Sequence, residues 1–262
     1  MSFNLKSVSF SLAMVIAVAA LTVFSLAQVN AWTGGHDDMA RDLGEAGSLD
    51  SQYVDKLDNQ AFWADKDAAE DGNGTFGISE EKNPWQDKYL LPFCCTRANW
   101  DHWYEVGTGA GLAPKNTKRF IGWAAQWYIN NGYTGYGFKI LGRGLHYPQD
   151  MSMPYHTTAV SNLENFGDNH GKYENWHADN YDDEWFGSYV QWGAQYGDYS
   201  ISSDDGIADQ TRQLAKETSE RVSEVNSGQW DENVHETRWA MYDFGERAAA
   251  IVEYAAPGHA NF

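Results

Sequence analysis

The hydrophobic pattern divides the chain into two unlike parts. Residues 12–27, LAMVIAVAALTVFSLA, form one apolar run behind the positive charge of Lys6. The run is short for a membrane span, and Val29-Asn30-Ala31 supplies the small residues of a signal-peptidase site. Residues 1–31 are therefore expected to be a secretion signal cleaved after Ala31, with a retained membrane anchor as the alternative. No later stretch is apolar enough to cross a bilayer.

Beyond Ala31 the apolar positions recur with a helical period. KNTKRFIGWAAQWYINN (115–131) puts Phe120, Ala124, Trp127 and Tyr128 on one stripe. TGYGFKILGRGLHYPQD (134–150) predicts a helix whose glycines permit close packing, and IADQTRQLAKETSERVSEV (207–225) predicts an exposed one. The last helix aligns Phe244, Ala248, Ile251, Val252 and Ala255 and stops before Pro257-Gly258. Strand-like alternation is scarce, so residues 32–262 are expected to form a single all-α domain, long enough to bury a sizeable core. The Gly/Asp-rich stretch 68–83 reads as a loop. The abundant Trp and Tyr residues read first as filling for the core and helix interfaces.

Charge narrows the partners. A net charge of −19 repels polyanions and anionic membranes at long range, although bound cations would offset it locally. The same acidity suits a soluble protein in a salty habitat. The two cysteines, Cys94 and Cys95, are adjacent. A disulfide between neighbours closes a tight ring, and two thiols alone are a poor zinc motif.

The chemistry concentrates in LHYPQDMSMPYHTTAVSNLENFGDNHGKYE, residues 145–174. His146 and Asp150 are four apart and share a helix face; His156 follows past Pro154; His170 and Glu174 repeat the four-residue spacing on a second predicted helix. Imidazole nitrogen and carboxylate oxygen are the ligands zinc takes when thiolate is absent. One such pair is common on helix surfaces as a cap or ion pair. Two pairs flanking a third histidine point to metal. His36 and His102 join the constellation, whereas His177, His235 and His259 read as surface residues.

This stretch resembles the zinc-dependent phospholipase C family, which shares a fold with the single-strand-specific zinc nucleases. The order His146, Asp150, His156, His170, Glu174 matches the bacterial phosphatidylcholine-preferring phospholipases C without a gap, and LHY, Pro154 and KYEN fit as neighbours. The resemblance implies an all-α fold with three zinc ions. It also implies that the first residue of the processed chain, here Trp32, binds zinc through its free amine and backbone carbonyl. Signal cleavage would create that ligand, and the glycines between Trp32 and His36 would let the backbone curl to bring both to one ion. His102 in NWDHWYEV matches the family's His-Phe-Tyr-Asp segment, with Trp103 for Phe and Glu105 for Asp. The family's early aspartate corresponds to Asp65 in DNQAFWAD, with Asp71 and Asp87 as competitors. By resemblance, Asp65, His102, His146 and Asp150 would hold one ion; His156, His170 and Glu174 a second; Trp32 and His36 a third, with Asp150 as bridge.

Such a cluster implies phosphodiester hydrolysis by metal-activated water, with Asp65 orienting or deprotonating that water. The nucleases of this fold carry a longer insertion before the residue matching His170 and an aspartate at the position of Glu174. The spacing here and the glutamate point instead to a phospholipase C releasing diacylglycerol and a phosphorylated head group. The expected substrate is a phospholipid at a membrane or micelle surface, not nucleic acid, and the expected form is a secreted monomer. A nuclease or nucleotidase using the same cluster is the alternative, and a non-catalytic zinc scaffold is the third reading. The choline pocket of the family is not evident, because Gly35 or its neighbours, Lys66, and Asn99 with Trp100 stand in its places. Pro148 falls inside the metal-binding helix, where the family has no proline, and is expected to remove a donor and kink it. The family's toxin members append a lipid-binding β-sandwich; the resemblance here stops at the last helix, so no potent membrane-lysing role is expected.

Overall fold

The computed structural model describes residues 33–61, 102–157, 169–225 and 234–262. All lie in the unit Trp32–Phe262. Residues 1–31, Trp32, the stretch 68–83, Asp65 with its competitors Asp71 and Asp87, Lys66, Cys94, Cys95, Asn99 and Trp100 lie outside the described residues. The all-α expectation holds: the described residues contain α-helices and short 3-10 and π turns, with one isolated antiparallel bridge between Glu105 and Ala110 and no strand.

In chain order the helices are α1 (Thr33–Ala46), α2 (Ser51–Ala61), α3 (Ala113–Trp123), α4 (Thr134–Met151), α5 (Asn169–Asp179), α6 (Phe186–Tyr196), α7 (Asp204–Val225) and α8 (Val234–Ala255). None is long and apolar enough to cross a membrane. α4 lies between α2 and α3; α1 packs on α2 and α6; α8 packs on α6 and α7, and α7 reaches back to α3. The core they enclose includes Met39, Leu43, Leu57, Phe120, Phe138, Leu145, Phe186 and Phe244, all buried. The predicted face of α8 is buried throughout, from Phe244 to Ala255. α7, predicted as exposed, turns Ile207, Ala208, Thr211, Leu214, Ala215 and Thr218 inward and exposes Asp205, Asp209, Arg212, Gln213, Lys216 and Glu220.

The predicted stripe over 115–131 changes register midway. Ala124–Tyr128 forms a π turn, in which Ile129 N–H donates back to the Ala124 carbonyl, and Ile129–Asn131 tightens into a 3-10 turn ending at Gly132. The extra residue rotates the helix face. Phe120 and Ala124 stay inside, but Trp127 is 68% exposed. Core filling therefore accounts for only part of the aromatic content: Trp103, Tyr147 and Tyr173 are buried, whereas Trp127, Trp185, Trp192 and Tyr196 are exposed.

Close helix contact rests on glycine in two places. On α4, a Cβ at Gly142 would sit 2.6 Å from the Leu57 carbonyl oxygen of α2, and one at Gly144 would sit 2.6 Å from Ile121 Cδ1 of α3. α4 runs on as one element through Pro148 to Met151. Where α6 crosses α8, the contact is reciprocal: a Cβ at Gly193 would overlap the Tyr242 carbonyl oxygen, and one at Gly245 the Val190 carbonyl oxygen. Backbone cannot yield as a flexible side chain does, so Gly193→Ala should destabilise the fold by about 1–3 kcal/mol. Gly122→Ala, in open space on α3, should be neutral or stabilise by about 0.5–1 kcal/mol. Thermal denaturation of the two variants checks the contrast; equal midpoints would contradict the packing described.

Candidate metal centre

Five parts of the fold bring side chains to one buried place. α1 supplies His36. The segment before α3 supplies His102. The last turns of α4 supply His146 and Asp150, one helical turn apart on one face. The 3-10 turn Pro154–His156 and α5 supply His156 and Glu174. The loop segments hold each other: Tyr104 N–H donates to the His156 carbonyl (3.2 Å), and His156 Nδ1–H to the His102 carbonyl (3.0 Å).

Asp150 stands at the middle, 2% exposed. Its two oxygens face different partners. Oδ2 lies 2.9 Å from His102 Nδ1 and 3.2 Å from His146 Nε2. Oδ1 lies 3.5 Å from His36 Nε2 and 4.0 Å from His156 Nε2. His146 Nε2 and His102 Nδ1 are themselves 2.7 Å apart, and His156 Nε2 is 3.0 Å from Glu174 Oε1. His36, His146 and Asp150 offer three buried ligand atoms within 4.8 Å of one another.

The donor set fits a cation on two counts. The first is tautomeric. The Nδ1 of His146 donates to the Ala61 carbonyl at 2.7 Å, that of His156 to the His102 carbonyl, and that of His36 to Gln149 Oε1 at 2.8 Å. A carbonyl only accepts, so each ring carries a proton on Nδ1 and turns its Nε2 to the centre, the arrangement typical of metal-bound histidine. The second is electrostatic. Asp150 is a buried carboxylate in the last turn of α4, at the negative end of the helix dipole. Burial pushes its pKa up, yet His146, His156 and His102 outweigh burial and hold it well below the usual carboxylate range. A charge so placed demands positive partners.

Of the residues singled out in the sequence, His36, His102, His146, Asp150, His156 and Glu174 are brought together. His170 lies in α5 four residues before Glu174, as predicted, but its side chain is not among those described. Trp32 and Asp65 lie outside the described residues. His235 and His259 are exposed, as expected. His177 is not a surface residue. It is fully buried, stacked on Phe186 with ring centroids 4.5 Å apart. Burial first, then nearby His36, lowers its pKa to about 3, so it is neutral. Its surface assignment failed because three residues past Glu174 it shares the inward side of α5. Sequence reasoning missed Gln149 and the carbonyls of Ala61 and His102. Gln149 carries no ligand chemistry to flag it, and backbone carbonyls leave no trace in sequence.

No protein-family model matches the sequence, nor does any curated protein. Solved structures do match in fold. The alpha-toxin of Clostridium perfringens from avian strain SWCP superposes with a TM-score of 0.55 at 15% identity, over 88% of this chain and 65% of the toxin chain. The alpha-toxin of Clostridium absonum gives 0.50 at 14% identity, over 88% and 64%. The chain thus spans about two thirds of the toxins' length. Fold and site define an all-α domain of the alpha-toxin fold with a buried imidazole–carboxylate centre.

Metal loading should displace protons. Burial lowers the His156 pKa, but the charge of Asp150 and the bond to Glu174 outweigh it and raise it to about 9. In the metal-free chain the imidazolium contacts are complete below the ordinary histidine range and are lost as pH rises through about 9. A cation held by His156 would therefore compete with a proton at neutral pH, and its affinity should rise with pH toward 9. Calorimetry at pH 7 in two buffers of different ionisation enthalpy should show proton release; identical apparent enthalpies would contradict it.

Proposed function

We propose that the chain is a secreted zinc-dependent phosphodiester hydrolase, and specifically a phospholipase C acting on phospholipid at a membrane or micelle surface. The observation that carries the proposal is the double orientation of Asp150, one oxygen toward His102 and His146 and the other toward His36. A carboxylate, unlike an imidazole, can serve two cations at once, and multinuclear sites suit phosphoryl chemistry. The alpha-toxin fold supports the same reading.

His36, His102, His146, Asp150, His156 and Glu174 would hold zinc, joined by Trp32, Asp65 and His170. Bound zinc would neutralise phosphate oxygens and lower the pKa of water to near neutrality. Asp65 is proposed to orient that water and accept its proton. The low pKa of Asp150 keeps it ionised through the neutral range, so it holds its position without taking up a proton itself. Residues 1–31 are proposed as the cleaved signal, which would free the Trp32 amine, and three zinc ions as the full complement.

Phospholipid is favoured over polynucleotide by the 14-residue step from His156 to His170, by Glu174, and by the net charge of −19, which opposes a polyanion. The test sets the zinc-loaded protein against mixed phospholipid micelles and against single-stranded oligonucleotide. Diacylglycerol release is expected, falling on the order of 100-fold or more in Asp150→Asn. Oligonucleotide cleavage without diacylglycerol would replace the phospholipase reading with the nuclease one, and full activity in Asp150→Asn would remove the centre from catalysis.

A further inference from the structure

We infer that Gln149 is the positioning residue that makes His36 a metal ligand; this rests on the zinc-centre reading above. Gln149 precedes Asp150 on α4 and is fully buried, as is His36 across the helix interface on α1. Its side chain grips His36 at two points. Gln149 Nε2 donates to the His36 backbone carbonyl at 2.9 Å, and Gln149 Oε1 accepts from His36 Nδ1 at 2.8 Å.

The two bonds fix each other. A backbone carbonyl can only accept, so the amide nitrogen must be the atom facing it. The amide oxygen is then the atom facing His36 Nδ1, and the ring must carry its proton there. That leaves the His36 Nε2 lone pair directed at Asp150 Oδ1, 3.5 Å away, within the group formed with His146. His146 and His156 obtain the same tautomer from backbone carbonyls. His36, in the first turn of α1, has its ring proton taken by a side chain instead. One helical turn of α4 therefore contributes two ligands, His146 and Asp150, and the clamp on a third.

Outer partners of this kind typically change metal affinity by about 10–100-fold. Gln149→Met keeps length, burial and helix preference but removes both hydrogen bonds. Gln149→Glu keeps the acceptor for Nδ1 and loses the donor to the carbonyl. The experiment measures zinc number and affinity by competition with a chromophoric chelator, on the full chain and both variants. It is paired with ring 15N NMR of zinc-free wild type to read the His36 tautomer. The expected results are an Nδ1–H His36 in wild type, zinc bound about tenfold or more weakly by Gln149→Met, and an intermediate loss in Gln149→Glu. Circular dichroism checks that each variant folds; if Gln149→Met does not, the wild-type tautomer and Gln149→Glu still decide. An Nε2–H His36, or zinc affinity in the folded variants within about twofold of wild type, overturns the inference. Wild type binding no zinc would sink the centre itself, a distinguishable failure.

Discussion

A carboxylate buried at the wrong end of a helix organises this molecule. Asp150 sits in the last turn of α4, shielded from water and facing the negative pole of the helix dipole. Left alone it would be costly to ionise. Four imidazoles from four separate segments surround it within 4.0 Å, and each is itself fixed by an acceptor or by the carboxylate. The arrangement concentrates unfavourable burial at one point, and a bound cation is the partner that would relieve it.

The rest of the fold reads as support for that point. α4 must approach α2 closely enough for His146 to reach the Ala61 carbonyl, at the end of a helix whose last carbonyls lack partners within it. Gly142 permits the approach by leaving no Cβ against Leu57. α1 must present His36 at a fixed angle, and Gln149 on α4 holds it there. The reciprocal glycines of α6 and α8 bring together the pair that packs behind α1 and α5, where Phe186 stacks on His177.

Much of this was legible in the chain, for a physical reason. Residues four apart on a helix share a face, so His146–Asp150 and His170–Glu174 could be placed on helices before any coordinates. The buried stripe of α8 was readable for the same reason. What failed to show was whatever departs from one regular period or acts through the backbone. The π turn at Ala124–Tyr128 added a residue to the period and turned Trp127 out to solvent. His177 looked like a surplus surface histidine because the depth of α5 in the fold is not a local property. Gln149 was invisible because its role lies in hydrogen bonds spanning 113 residues of sequence.

The most direct test is the metal content of the purified processed protein, measured by inductively coupled plasma mass spectrometry alongside its N-terminal mass. The account predicts three zinc ions per chain and Trp32 as the first residue. A chain that starts at Trp32, folds, and carries no zinc would contradict it, since the charge of Asp150 would then be balanced by imidazolium alone.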